Sequence, residues 1–111
     1  MDASPYNDIS LAELRAGLDD GSIRLVDVRE ADEFAAGHIK GAQFNPLSTF
    51  DAAKLPPAEP GKRIVLYCRS GRRSVTAMDK ARLLGRRDVN THFGGGILGW
   101  LAADLPTEKG G

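Results

Sequence analysis

Ile64-Val65-Leu66-Tyr67 is an unbroken apolar run that stops abruptly at Cys68-Arg69-Ser70-Gly71-Arg72-Arg73-Ser74. Such a run suits a strand buried on both faces, as in a parallel sheet, and the residues beyond the glycine take up helical spacing. A strand, a tight cationic turn and a helix in direct succession constrain the chain to an α/β arrangement. They also put its only cysteine at the carboxyl end of a strand, where open α/β sheets hold their ligands.

Two readings of Cys68 follow. A cysteine closing an apolar strand is commonly a small core residue. A core strand, however, does not ordinarily exit into Arg-Ser-Gly-Arg-Arg without a ligand for the charge. A thiol attacks only as its thiolate, and a helix N-terminus beside arginines favours that form. The second reading makes Cys68 a nucleophile aimed at a small anion, at the opening of a short, positively charged bowl.

At 111 residues the chain is long enough for one hydrophobic core and too short for two, so residues 1–111 are expected to form a single domain. No apolar run approaches the ~20 residues of a membrane span. Met1 to Pro5 lack the basic start and apolar stretch of a secretory leader, and a cytoplasmic address is expected. Lysine plus arginine equal aspartate plus glutamate at 15 each, which excludes the global basic field of a nucleic-acid binder. One cysteine excludes an internal disulfide and a Cys-x-x-Cys pair. With only His38 and His92 beside it, no metal and no cofactor are expected.

Ser10-Leu11-Ala12-Glu13 has the form of a capping box, and Leu11, Leu14 and Leu18 continue at helical spacing as far as Asp20-Gly21. Ile23 to Val28 reads as a strand, Ala31 to Ala36 as a two-turn helix stopped by Gly37, and Ala42 to Asn45 as a brief strand before Pro46. Ser48 to Lys62 reads as an irregular crossing. After the cysteine turn, Arg73 to Leu84 is a helix stopped by Gly85, with Ser74 able to cap it. Val89 to Phe93 is a last strand, and Gly94-Gly95-Gly96 bends into a short helix that Trp100 anchors on the core. The sum is an α/β sandwich with a mostly parallel sheet covered on both faces.

Leu25-Val26-Asp27-Val28-Arg29, Glu33-Phe34 followed by Gly37-His38-Ile39-Lys40-Gly41-Ala42, the Cys68 strand and loop, and the Gly94-Gly95-Gly96 to Trp100 ending occur in the order found in single-domain members of the rhodanese family, which the chain resembles over most of its length. The resemblance implies a five-stranded, mostly parallel sheet with flanking helices and a loop that begins with the nucleophile. It also implies a thiosulfate sulfurtransferase. Such an enzyme holds sulfane sulfur from thiosulfate or a similar small anionic donor as a persulfide on Cys68, then passes it to cyanide, to a thiol or to an acceptor protein. Related phosphatases and arsenate reductases carry a loop one residue longer. Cys68 to Arg73 is Cys-x4-Arg, the shorter sulfurtransferase form. A non-catalytic binding module is the remaining alternative.

For the site, Arg69, Arg72 and Arg73 are the candidates to neutralise the donor, with the N–H groups of Ser70 to Ser74, through Gly71, forming an anion nest. Arg73 equally suits a pairing with a structural acid. Asp27 reads as half of an ion pair or as a turn residue, and Arg29 as a minor candidate for the pocket rim. His38 and His92 are assigned supporting hydrogen bonds, since a thiol with a low pKa needs no general base.

Overall fold

The computed structural model describes residues 5–110; Met1 to Ser4, on which the reading of the N-terminus rests, lie outside the described residues. Five strands, β1 (Asn7–Asp8), β2 (Ile23–Asp27), β3 (Gln43–Phe44), β4 (Arg63–Tyr67) and β5 (Thr91–His92), form one sheet in the order β1-β5-β4-β2-β3. Every pairing is parallel. Four α-helices alternate with them: α1 (Leu11–Asp20), α2 (Ala31–Ala36), α3 (Arg72–Leu83) and α4 (Gly96–Ala102). Among the described residues no helix is long and apolar enough to cross a membrane.

Side-chain alternation along β4 divides the core in two. Ile64, Leu66 and Cys68 face one side with Val26 of β2 and Val28 just beyond it, beneath Ala77, Met78 and Ala81 of α3. Val65 and Tyr67 face the other side with Ile23 and Leu25, beneath Leu14 of α1 and Ile97 and Trp100 of α4. Both faces are covered, which is why β4 reads as a continuous apolar run. The same parity places Cys68 on the α3 side, under that helix's first turn.

The capping box is present: Ser10 Oγ accepts from the Glu13 N–H at 3.1 Å, and Gly21 ends α1 in the left-handed region. Between Pro46 and Leu55 the irregular crossing contains two single 3-10 turns, Leu47–Thr49 and Ala52–Lys54. The strand left unread in the sequence is β1. It is two polar residues at the sheet edge, without the apolar alternation that announces a strand. β1 is held by pairing with β5 and by the Asp8 carboxylate, which accepts the Gly94 N–H at 2.8 Å.

Two ion pairs tie the carboxyl side of the sheet. Asp27, fully buried, accepts from Arg29 Nη2 at 2.8 Å, and the same guanidinium donates to Gly37 O at 2.7 Å and lies over the Tyr67 ring. Arg73 on α3 makes a two-pronged pair with Glu33 on α2, at 2.6 and 2.9 Å. The Arg73 guanidinium, against the opposing cost of burial, holds the Glu33 carboxyl down at about 2.

These pairs carry two expectations. Asp27→Ala strands a buried guanidinium and lowers the unfolding free energy by about 3–5 kcal/mol, whereas Glu59→Ala, at the exposed Arg24–Glu59 pair, costs less than ~1 kcal/mol. Urea denaturation of both variants measures the contrast, and equal losses would contradict it. Because the Glu33 pKa is depressed on folding, its contribution is complete above the ordinary value of 4.5 and fades as pH falls towards about 2. Glu33→Gln therefore removes part of the acid-induced loss of stability in that window, as read from denaturation midpoints at a series of pH values.

Candidate active site

Cys68 follows β4 directly, and the chain then reverses through Arg69 and Ser70 into α3. Gly71 sits at the helix start with φ +98°, a conformation that disfavours side chains, and a Cβ there would come within 2.8 Å of Gly94 O. No side chain caps α3. The expected cap, Ser74, lies inside the first turn, because the left-handed glycine starts the helix at Arg72 rather than Arg73. The first N–H groups of a helix lack partners within it and need an acceptor. Here the cysteine sulfur supplies one: Gly71 N–H donates to Cys68 Sγ at 3.1 Å, and the Ser70 and Ser74 amides also favour the charged form of the same atom.

The loop turns its amides inward because its carbonyls are engaged outside. Ile97 N–H, at the start of α4, donates to Cys68 O at 2.9 Å, and Leu98 N–H donates to Arg69 O at 3.3 Å. Gly96 makes this approach possible: its φ is +60°, and a Cβ would fall 2.3 Å from Arg69 O and 2.6 Å from Cys68 O. The glycine run thus lets one helix end seat its N–H groups on the back of the loop while the N-terminus of α3 faces the front.

Burial pushes the Cys68 thiol pKa up, but the Ser74 amide and hydroxyl and the Gly71 and Ser70 amides pull it down further, and the balance lies below the ordinary value. The residue is 1% exposed. This corrects the expected open bowl: the sulfur is buried, with the Gly71 N–H donated to it.

The three loop arginines differ. Arg69 and Arg72 are exposed, and neither side chain has an ion-pair or hydrogen-bond partner among the described residues. Arg73 is half-buried and committed to Glu33, so the structure favours the structural-acid alternative for it. Arg29 is spent on Asp27 and Gly37, but it also lines a groove of about 420 Å³ beside the loop, with Arg69, Leu98 and Leu101 around it. His38 lies away from the sulfur, with Nδ1 2.9 Å from Phe34 O and its ring stacked on Phe34.

His92 is closer to the chemistry than its sequence context announced. Its Nδ1 is 2.7 Å from Ser74 Oγ, which is 3.7 Å from Cys68 Sγ. The signal available in the sequence was a polar residue on a strand otherwise expected to be buried, and that pattern alone does not name a partner.

A family model described as the rhodanese-like domain matches residues 10–103. An uncharacterized protein of Synechocystis is 46% identical over 88 residues, covering 79% of this chain and 48% of that protein. The human thiosulfate:glutathione sulfurtransferase is 34% identical over 106 residues, covering 84% of this chain and 91% of its own length. The solved structure of a human single-domain sulfurtransferase matches with a TM-score of 0.70 at 31% identity, covering 91% of this chain and 97% of that one. Of several relatives, the Synechocystis protein among them, the chain spans about half the length or less. On the extent of the domain match, the order of the strands and the loop at the end of β4, the chain belongs to the rhodanese-like family.

Proposed function

We propose that the protein is a sulfurtransferase that takes sulfane sulfur from thiosulfate or a similar anionic donor, carries it as a Cys68 persulfide and delivers it to cyanide or a thiol. The observation that carries this reading is the Gly71 N–H donated to the Cys68 sulfur at 3.1 Å, in a loop whose Ser70, Gly71 and Ser74 amides together lower the thiol pKa. The Cys68 thiolate attacks the outer sulfur of the donor. The donor's sulfur–sulfur bond breaks, sulfite leaves with the electron pair, and the persulfide remains. An acceptor nucleophile then attacks the outer sulfur and releases the thiolate. The lowered thiol pKa favours the thiolate, so the first attack does not call for a general base on the protein.

Two anions meet in the first step, so positive charge must be available at the mouth. Arg69 and Arg72 supply it, since neither is neutralised by a carboxylate, while Arg73 braces α3 against α2. Ser70, Gly71 and Ser74 bind through their amides. The depth of the sulfur favours a donor that presents a single atom at its tip, and the Cys-x4-Arg length weighs against a tetrahedral phosphate or arsenate in the loop. The small donor, the cyanide or thiol acceptor, delivery to an acceptor protein along the groove beside Arg69, and a cytoplasmic setting belong to this proposal, as does operation without metal, cofactor, nucleic acid or membrane.

Thiocyanate production from thiosulfate and cyanide tests the reading, with intact mass after donor alone expected to show one added sulfur atom. Cys68→Ser abolishes both, because a hydroxyl is far less acidic than a thiol. Arg69→Ala combined with Arg72→Ala raises the thiosulfate KM by about ten- to a hundredfold, the scale of one or two lost charge-assisted hydrogen bonds. An active serine variant, or turnover of an aryl phosphate without sulfur transfer, would contradict the proposal.

A further inference from the structure

Ser74 Oγ carries one proton and has three neighbours: Gly71 O at 3.1 Å, His92 Nδ1 at 2.7 Å and Cys68 Sγ at 3.7 Å. All of Ser74, His92 and Cys68 are buried. Where that proton points depends on which partner of the short serine–histidine contact is the donor, and therefore on the imidazole tautomer. Nδ1 is the one ring nitrogen of His92 with a hydrogen-bond partner among the described residues. Gly71 O can only accept, so the 3.1 Å contact takes the serine's one proton, and both contacts of Ser74 Oγ are hydrogen bonds only if Nδ1 is the donor at 2.7 Å. The proton therefore belongs on Nδ1.

We propose that His92 is a positioning residue whose Nδ1–H donates to Ser74 Oγ, so that the serine hydroxyl keeps its own proton for the Cys68 sulfur. In the resting thiol this proton lies on Gly71 O. When the S–H bond ionises and its proton leaves to solvent, the hydroxyl turns to the thiolate, adding a donor to the Gly71 amide already there. His92 stays neutral throughout and takes up no proton.

The surroundings agree with a neutral ring. Burial lowers the His92 pKa more than Asp8, on β1, raises it. From α3 it meets the uncharged Ser74. The charge felt by the sulfur itself comes from Arg73, already paired with Glu33, and from the loop amides. The inference rests on Cys68 being the working sulfur of the sulfurtransferase proposed above, but its readout is independent of turnover.

The test is the thiol pKa of the full chain, followed by thiolate ultraviolet absorbance at the single cysteine, with the pH profile of thiosulfate turnover in parallel. Asparagine places an amide N–H near the position of Nδ1, and glutamine places it near Nε2. His92→Gln and Ser74→Ala are expected to raise the thiol pKa by about one pH unit, the scale of one hydrogen bond to a charged acceptor, and to move the acid limb of the rate profile equally. His92→Asn retains the low value. An unshifted His92→Gln, or a His92→Asn that shifts with it, overturns the assignment, the latter by making the ring a proton acceptor. If circular dichroism shows His92→Gln unfolded, an unshifted Ser74→Ala overturns it instead. The expected pKa pattern without wild-type turnover leaves the positioning role standing and removes the sulfurtransferase reading.

Discussion

The seating of the α4 N-terminus on the carbonyls of Cys68 and Arg69 is the contact on which the site depends. A peptide unit that turns its C=O to one side turns its N–H to the other, so engaging these oxygens from behind helps fix the amides at the front. Glycine at position 96 is a steric condition for that approach. The start of α3 adds further amides without an intrahelical partner. Two helix ends thereby converge on one turn of chain, and the cysteine sulfur accepts the Gly71 N–H on its inner face. Structure and reactivity share a cause here: the sulfur satisfies donors that the fold leaves open, and those donors favour its ionised form.

Charge is distributed by the same economy. The chain as a whole is balanced, with 15 cationic and 15 anionic residues, and its long-range field gives little direction to an anion. Inside, the guanidiniums of Arg29 and Arg73 are matched by Asp27 and Glu33, which lock β2 and α2 to their neighbours. At the mouth, Arg69 and Arg72 are left unmatched among the described residues. Arg69, on the turn that follows Cys68, and Arg72, at the start of α3, therefore keep their charge unmatched, while the matched pairs tie the elements around them.

The parts of this arrangement that were legible in the sequence are those with a local signature. The capping box of α1, the doubly buried β4, the cysteine turn and the glycine bend each depend on a few consecutive residues, and each lies within a residue or two of its expected place. What escaped depends on partners distant in the chain. β1 has no pattern of its own and exists by pairing with β5, more than eighty residues away. Arg73 was undecided between anion and acid until the fold brought Glu33 to it, and His92 acquires its role from a serine on another element. Ser74 carried the usual cap chemistry, but the preceding glycine moved the helix start and gave the hydroxyl different neighbours.

The ionisation of the single cysteine tests the account most directly, because burial and the inward amides pull its pKa in opposite directions. Followed by thiolate ultraviolet absorbance in the folded wild-type chain and again in denaturant, Cys68 should titrate below the free-thiol value of ~8.5 when folded and near it when unfolded. A folded-state value at or above that of the unfolded chain would mean that burial outweighs the amides, and that the loop does not activate its sulfur.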